Sequence, residues 1–418
     1  MGGKVDPRTM REVNRALVLD LIRTSGRLSR TELARLTEMA KPTVATIVEE
    51  LIDDGSVREV GLGGSMPVGG RPPRLLEFNE ESVAYAGIHF GISSTRIALA
   101  DGRGNVRAVH RAAPARRTPA AVARSLPGVF DALAKQSGLR ADRIQAVGVA
   151  VPGLVDVSSG RCVVAPNLGW RDVPVRDLVA GAVMLPVEVR NGVQAGAIAE
   201  GHFGAARDLR SYVRVDVGSG VGAAIVTDGQ VFFGDRGFTG EIGHCPVLED
   251  GPRCSCGRRG CLETLASSAA LIRDAEAMLA SRHPSLVRRR KLTVPALLEA
   301  AVAGDDVAVH AFAGLAGYLG KGIAYLVNIL NPQTVVIGGS LAGAGDVLLE
   351  PLRDALRRHT LTGDDVRVLA SELGEHGEVR GAVLLALEAA RPQGQGVGAG
   401  VNLPPSAPAA GSTRAAAR

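Results

Sequence analysis

The sequence predicts an α/β protein in which a winged helix-turn-helix over residues 1–80 precedes a larger α/β region that carries a metal-binding loop. Three observations support that prediction. The N-terminal stretch repeats apolar residues at helical spacing and then gives two strand-like runs. From Ala84 the pattern changes to short apolar runs separated by glycine turns. The segment Gly240 to Glu263, GEIGHCPVLEDGPRCSCGRRGCLE, gathers four of the five cysteines into one loop-rich stretch.

Asn14 to Ile22 places Leu17, Val18, Leu21 and Ile22 on one face of a first helix. Ser29-Arg-Thr-Glu32 is a capping-box arrangement that opens a second helix through Leu33, Ala34 and Leu36. Pro42, tolerated in a first turn, starts a third helix whose Val44, Ile47, Val48, Leu51 and Ile52 share a face, and Gly55 is placed to end it. Val57 to Val60 and Arg74 to Phe78, joined by a glycine-rich return, complete the winged helix-turn-helix. On pattern alone, a three-helix bundle that only binds protein is the lesser alternative.

Residues 1–80 carry twelve basic and twelve acidic side chains, so any DNA contact has to come from arrangement rather than bulk charge. The third helix presents Thr43 and Thr46 near its start and Glu50 and Asp53 near its end, so its beginning is the half that approaches phosphates without repulsion. Lys41, Pro42, Thr43 and Thr46 are the expected contacts, though each also fits a merely solvated surface. Arg71, in Gly69-Gly70-Arg71-Pro72, suits a narrow minor groove, and the same stretch suits a plain interdomain linker.

Beyond the linker, Tyr85 to His89 and Arg96 to Ala100 read as strands around Gly91 to Thr95, with a turn at Asp101 to Asn105. Ile144 to Val151 is a further buried strand, and residues 213–226, VRVDVGSGVGAAIV, place glycines where backbone amides would face an anion. Taken singly, such glycine loops are ordinary turns. Beyond Pro392 the chain turns to Gly, Pro, Ala and Ser, a composition that cannot bury enough apolar surface to order itself. No internal repeat is visible.

The 418 residues, with 48 basic against 43 acidic and a net charge of +5, describe an ordinary protein of two or three domains. No apolar run in the sequence suggests a membrane span and no signal-peptide pattern opens the chain, so a cytoplasmic protein without membrane contact is expected. In the cysteine segment, Cys254-x-Cys256 and Cys261, with His244 upstream, supply the thiolates and imidazole that one tetrahedral Zn²⁺ prefers. Buried free thiols are the alternative, and a disulfide fits less well in a chain with no secretion signal.

GEIGH followed by CSCGRRGCLE closely resembles the signature of the ROK family of repressors, open reading frames and kinases, and the resemblance spans roughly residues 11–390. It implies a two-lobed, actin-like ATPase domain of the sugar-kinase type over residues 81–391, split near 191, with a disordered tail at 392–418. His244, Cys254, Cys256 and Cys261 would hold a structural zinc, leaving Cys245 a bystander. Asn167, Asn191, Glu241, His244 and Glu263 would hold a sugar; Trp170 could stack on a ligand, but a lone tryptophan is more often core. TELARLTEMAKPTVATIVEELIDDGSV is similar to the DNA-binding helices of ROK repressors, except that Ala40 stands where those repressors commonly have a capping serine.

The same resemblance locates two departures from the kinases of the family. Where they open a helix with Asn-Asp, this chain has Asn191-Gly192, and glycine accepts no proton from an attacking hydroxyl. Where their first phosphate hairpin has an aspartate, this chain has His89, a poor partner for Mg²⁺. The resemblance therefore implies no catalytic residue. It implies a sugar-responsive DNA-binding transcriptional regulator, a repressor, acting as a homodimer or dimer of dimers on operator DNA. A working sugar kinase using Asp216 as its base, and a thiol or zinc sensor using Cys245, are the alternatives.

Overall fold

The computed structural model describes residues 6–62, 72–112, 118–281, 283, 285, 287 and 292–390. Arg71 and the tail at 392–418, both singled out in the sequence, lie outside the described residues.

At the N-terminus stand helices α1 (Pro7–Ser25), α2 (Arg30–Thr37) and α3 (Lys41–Asp53). Their apolar faces meet at Val18, Ile22, Leu33, Val44, Val48 and Leu51, and Leu76 and Phe78 close the same core. The capping box forms: Ser29 Oγ accepts from the Glu32 amide at 3.2 Å, and the Ser29 amide donates to Glu32 Oε2 at 2.8 Å. Ala40 gives α3 no side-chain cap. Strands Leu28–Ser29, Arg74–Phe78 and Val57–Leu62 form an antiparallel sheet in that order. Helix α1 begins well before the apolar repeat does, and its extra length carries Arg11 and Arg15, which pair with Glu50 and Asp54 at the far end of α3. The acidic end of α3 is thus partly neutralised from within the fold.

The rest of the chain builds two five-stranded sheets on one plan. The first runs Val187–Asn191, Ile144–Val151, Ala84–Phe90, Thr95–Asp101, Val106–Ala112. The second runs Arg367–Ala370, Thr334–Gly338, Tyr212–Val217, Val221–Thr227, Gln230–Val231. In each, an antiparallel meander of consecutive strands is extended from its first strand by two later strands in parallel. This duplication left no trace in the sequence because a sheet constrains only the alternation and bulk of its residues.

Helices Gly192–Phe203 and Gly377–Ala389 cross between the sheets. A Cβ on Gly381 would fall 1.9 Å from the Ala195 carbonyl oxygen, and one on Gly148 1.8 Å from that of Ala382, so glycine is what permits these backbones to touch. The C-terminal helix returns to the first sheet, where Val379, Val383 and Leu387 pack with Tyr85, Ala98 and Ala146.

Helix Asp306–Leu330 corrects one expectation, because it is long and apolar enough by length and composition to cross a membrane. Its Val307, Phe312, Leu315, Leu319, Ile323 and Val327 are instead buried in the core of the second sheet's layer. A helix apolar on most sides is what a large core demands.

Candidate functional site

A cleft of 470 Å³ opens between the two sheets, and their loops supply its walls. The first sheet contributes His89 and Arg96, the second Asp216 and the turn Gly218 to Gly222, and the cysteine segment Glu241, His244 and Glu263. Asn167 and Asn191 line it as well. All five residues expected to hold a sugar therefore face one space.

They are not equally free. Asn191 caps helix Gly192–Phe203, its Oδ1 accepting from the amides of Val193 at 2.7 Å and Gln194 at 3.3 Å while its Nδ2 donates to the Gly153 carbonyl at 2.8 Å. That leaves one amide N–H for a ligand, so much of the role of Asn191 is structural. Glu263 accepts from the Val221 amide at 3.3 Å, which fixes its carboxylate over the turn. Gly220 lets it lie there, since a Cβ would sit 2.6 Å from Glu263 Oε2. Burial pushes the Glu241 carboxyl above the usual range; His244 opposes that and Glu263 adds to it.

His244 links the cleft to the cysteine cluster. Its Nδ1 lies 3.5 Å from Cys254 Sγ, while Cys256 Sγ and Cys261 Sγ are 3.7 Å apart. The four ligand atoms all lie within 4.8 Å of one another, a group that could hold a metal ion. Glycines turn the segment: Gly257 and Gly260 take φ of 92° and 64°, and a Cβ on Gly260 would meet the Leu248 carbonyl at 1.6 Å. Cys245 is not one of the four.

At the other end of the cleft the two departures are neighbours. A Cβ on Gly192 would stand 3.9 Å from His89 Nε2, so an imidazole occupies the space beside the carboxylate that is missing. His89 is held neutral, lowered to about 4 by burial and then by Arg96, against the pull of Asp216, and its Nδ1 has no hydrogen-bond partner among the described residues. His89, Arg96 and Arg111 lie directly opposite one another on successive strands.

Sequence reading missed what lies beneath Asp216. Arg214, with its side chain fully buried, donates from Nε to Asp216 at 2.8 Å and from Nη1 to Glu200 at 2.7 Å, and Glu378 is 3.8 Å from Nη2. Burial raises the Asp216 carboxyl, Arg214 opposes that, and Glu378 reinforces it. Glu200 and Glu378 belong to the two crossing helices, so this cluster joins both to the strand Tyr212–Val217. An arginine amid an apolar strand was the available signal, since a buried guanidinium requires carboxylates.

The sequence profile described as the ROK family matches residues 85–389. The chain is 33% identical over 385 residues to a putative xylose repressor of Caldicellulosiruptor sp. strain Rt8B.4, covering 90% of this chain and 96% of that protein. It is 30% identical to the DNA-binding transcriptional dual regulator NagC of Escherichia coli K12, over 92% of this chain and 94% of the other. Among solved structures, a ROK family transcriptional regulator homologous to the E. coli MLC protein superposes with a TM-score of 0.77 at 29% identity, covering 91% of this chain and 96% of that one. A ROK glucokinase from Streptomyces griseus, in complex with glucose and AMPPNP, superposes with a TM-score of 0.63 at 30% identity over 73% of this chain and 99% of its own. The cleft sits between the sheets of an actin-like sugar-kinase fold, and the chain belongs to the ROK family.

Proposed function

We propose that this chain is a sugar-responsive transcriptional repressor of the cytoplasm whose kinase-like domain binds a sugar without phosphorylating it. The carrying observation is the composition of the cleft: Asn167, Glu241, His244 and Glu263 line it while positions 89 and 192 hold His and Gly. Ionised carboxylates and an oriented imidazole give directional bonds to sugar hydroxyls. A site without a carboxylate beside the attacking hydroxyl lacks the proton acceptor that the kinases use, and His89, lowered to about 4 by burial, is a weak base in its stead. Asp216 is a weak replacement, because one of its oxygens already accepts from Arg214. The names of the full-length relatives support the regulatory reading over the kinase.

Zinc suits the His244, Cys254, Cys256 and Cys261 group. Tetrahedral zinc bonds of about 2.3 Å to sulfur and about 2.0 Å to nitrogen give edges of about 3.8 Å between sulfurs and about 3.5 Å between sulfur and nitrogen. The separations of 3.7 Å for Cys256–Cys261 and 3.5 Å for Cys254–His244 agree with that. When bound, the ion would brace the loop and fix the His244 ring through Nδ1, leaving Nε2 for a hydroxyl.

Residues 1–80 are proposed as a winged helix-turn-helix that places the start of α3 in the major groove. Lys41, Pro42, Thr43 and Thr46 are exposed there, while Thr46 Oγ1 also donates to the Pro42 carbonyl at 3.1 Å. A homodimer would set two such helices about 34–36 Å apart on a palindromic operator. Sugar closing the lobes would change that spacing, so sugar and operator affinities shift reciprocally. The test is fluorescence anisotropy on a duplex selected from a random pool, titrated with xylose, N-acetylglucosamine and glucose. Release of DNA by one sugar is the expected result, and a DNA affinity unmoved by any sugar that calorimetry shows to bind refutes the reading.

A further inference from the structure

A second cavity, of 660 Å³, adjoins the cleft and has no role in the account above. The two share Gly153, Pro166, Glu241, His244 and Ser255, so they meet at the proposed sugar-holding carboxylate and imidazole. A pyranose of about twelve non-hydrogen atoms, each taking at most the ~30 Å³ of a liquid water, needs no more than about 360 Å³. The first cavity satisfies that alone, which leaves the second for something attached to the ring.

Its construction favours a carbohydrate. The floor is the antiparallel sheet of Leu154–Asp156, Arg161–Ala165 and Trp170–Val173, in which Leu154, Val164 and Arg171 are directly opposite one another and so share a face. The roof is the cysteine segment, through Cys245, Pro246, Cys256 and Arg258. Trp170, beside Arg171 along the strand, faces the other way and stiffens the floor from beneath, its ring set edge-on against Phe90 in the core with centroids 5.3 Å apart. Arg171 is exposed at the rim and makes no ion pair among the described residues, so its guanidinium is available to hydroxyls. An apolar floor and a planar donor at the rim suit the face and the hydroxyl edge of a sugar ring.

We propose that the effector is a glycoside of at least two sugar units, with one ring among Asn167, Glu241, His244 and Glu263 and the next between the Leu154-Val164-Arg171 row and the cysteine segment. This rests on the sugar-effector reading and deepens it. The ring in the first cavity is joined to its neighbour across the junction beside Glu241 and His244. A monosaccharide occupies the first cavity only and makes none of the second set of contacts.

Calorimetry on the full chain tests this with matched pairs: xylose and xylobiose, N-acetylglucosamine and N,N′-diacetylchitobiose, glucose and cellobiose or maltose. In at least one pair the disaccharide is expected to bind tenfold or more tightly than its monosaccharide, about the value of one good hydrogen bond to a charged group. Val164→Trp, which fills the second cavity, should remove that gain and leave monosaccharide affinity unchanged. Arg171→Ala, at an exposed position with no fold to disturb, should weaken the disaccharide alone. Monosaccharides that bind as well as or better than their disaccharides overturn the extension and leave the effector reading standing. So does a disaccharide affinity that neither variant changes. Absence of binding by every sugar, in protein that still binds its selected duplex, overturns the effector reading and this one with it.

Discussion

Gly220→Ala isolates the proposed sugar-holding carboxylate from the stability of the fold. The added methyl would sit 2.6 Å from Glu263 Oε2 and 3.7 Å from Asn167 Nδ2. No backbone atom of another element lies among its near contacts, so the cheapest relief is for the flexible carboxylate to swing away. That breaks the 3.3 Å bond from the Val221 amide, a partly exposed interaction worth about 1 kcal/mol. It also removes a charge-assisted bond to a sugar hydroxyl, worth about 1.5–3 kcal/mol, or about 10- to 150-fold in affinity. Urea denaturation should therefore change by about 1 kcal/mol while calorimetric sugar affinity falls by tenfold or more. Sugar affinity equal to that of the unaltered chain would refute the placement of Glu263 in the binding site. A loss of several kcal/mol in stability would refute the claim that the carboxylate simply moves.

Arg214→Met leaves Glu200, Asp216 and Glu378 without their common partner, and breaking so buried a pair costs about 3–5 kcal/mol; a loss under about 1 kcal/mol by urea denaturation would contradict the network. His89 and His202 are both lowered to about 4, chiefly by burial, so below pH 6.5 the unfolded chain takes up protons that the folded chain refuses. Stability is then complete above about 6.5 and falls as pH drops toward 4, by up to about 3 kcal/mol for each group, and His202→Gln should flatten the pH dependence measured by urea denaturation. Chelation should release one equivalent of zinc, lower the melting temperature and weaken sugar binding together, because His244 belongs to the possible metal group and also lines the cleft; sugar affinity unchanged in metal-free protein would separate the two proposed roles.

What the sequence revealed and what it hid have physical reasons. The capping box at Ser29 and Glu32 and the missing cap at Ala40 are local, and both stand in the structure as read. The strand Ile144–Val151 and the His244–Cys261 cluster were also visible, since apolar runs and clustered soft ligands are signals within a few residues. The Arg11–Glu50 and Arg15–Asp54 pairs join positions 39 residues apart and have no local signature. The Arg214 cluster draws carboxylates from residues 200, 216 and 378, which only the tertiary fold brings together. Asn191 was read for its sugar-binding role, while its position as a helix cap takes up most of its hydrogen-bonding capacity. The second cavity could not be foreseen, because its floor is set by strand register and its roof by how the cysteine loop turns.

The central claim is that the cleft holds a sugar it cannot phosphorylate. ADP formation by the full chain, with ATP, Mg²⁺ and a sugar that calorimetry has shown to saturate the cleft, tests it most directly. The account predicts no sugar-dependent ADP above the protein-free rate. Turnover at the roughly 1–100 s⁻¹ typical of kinases would contradict it, and would point to Asp216 or His89 as the proton acceptor.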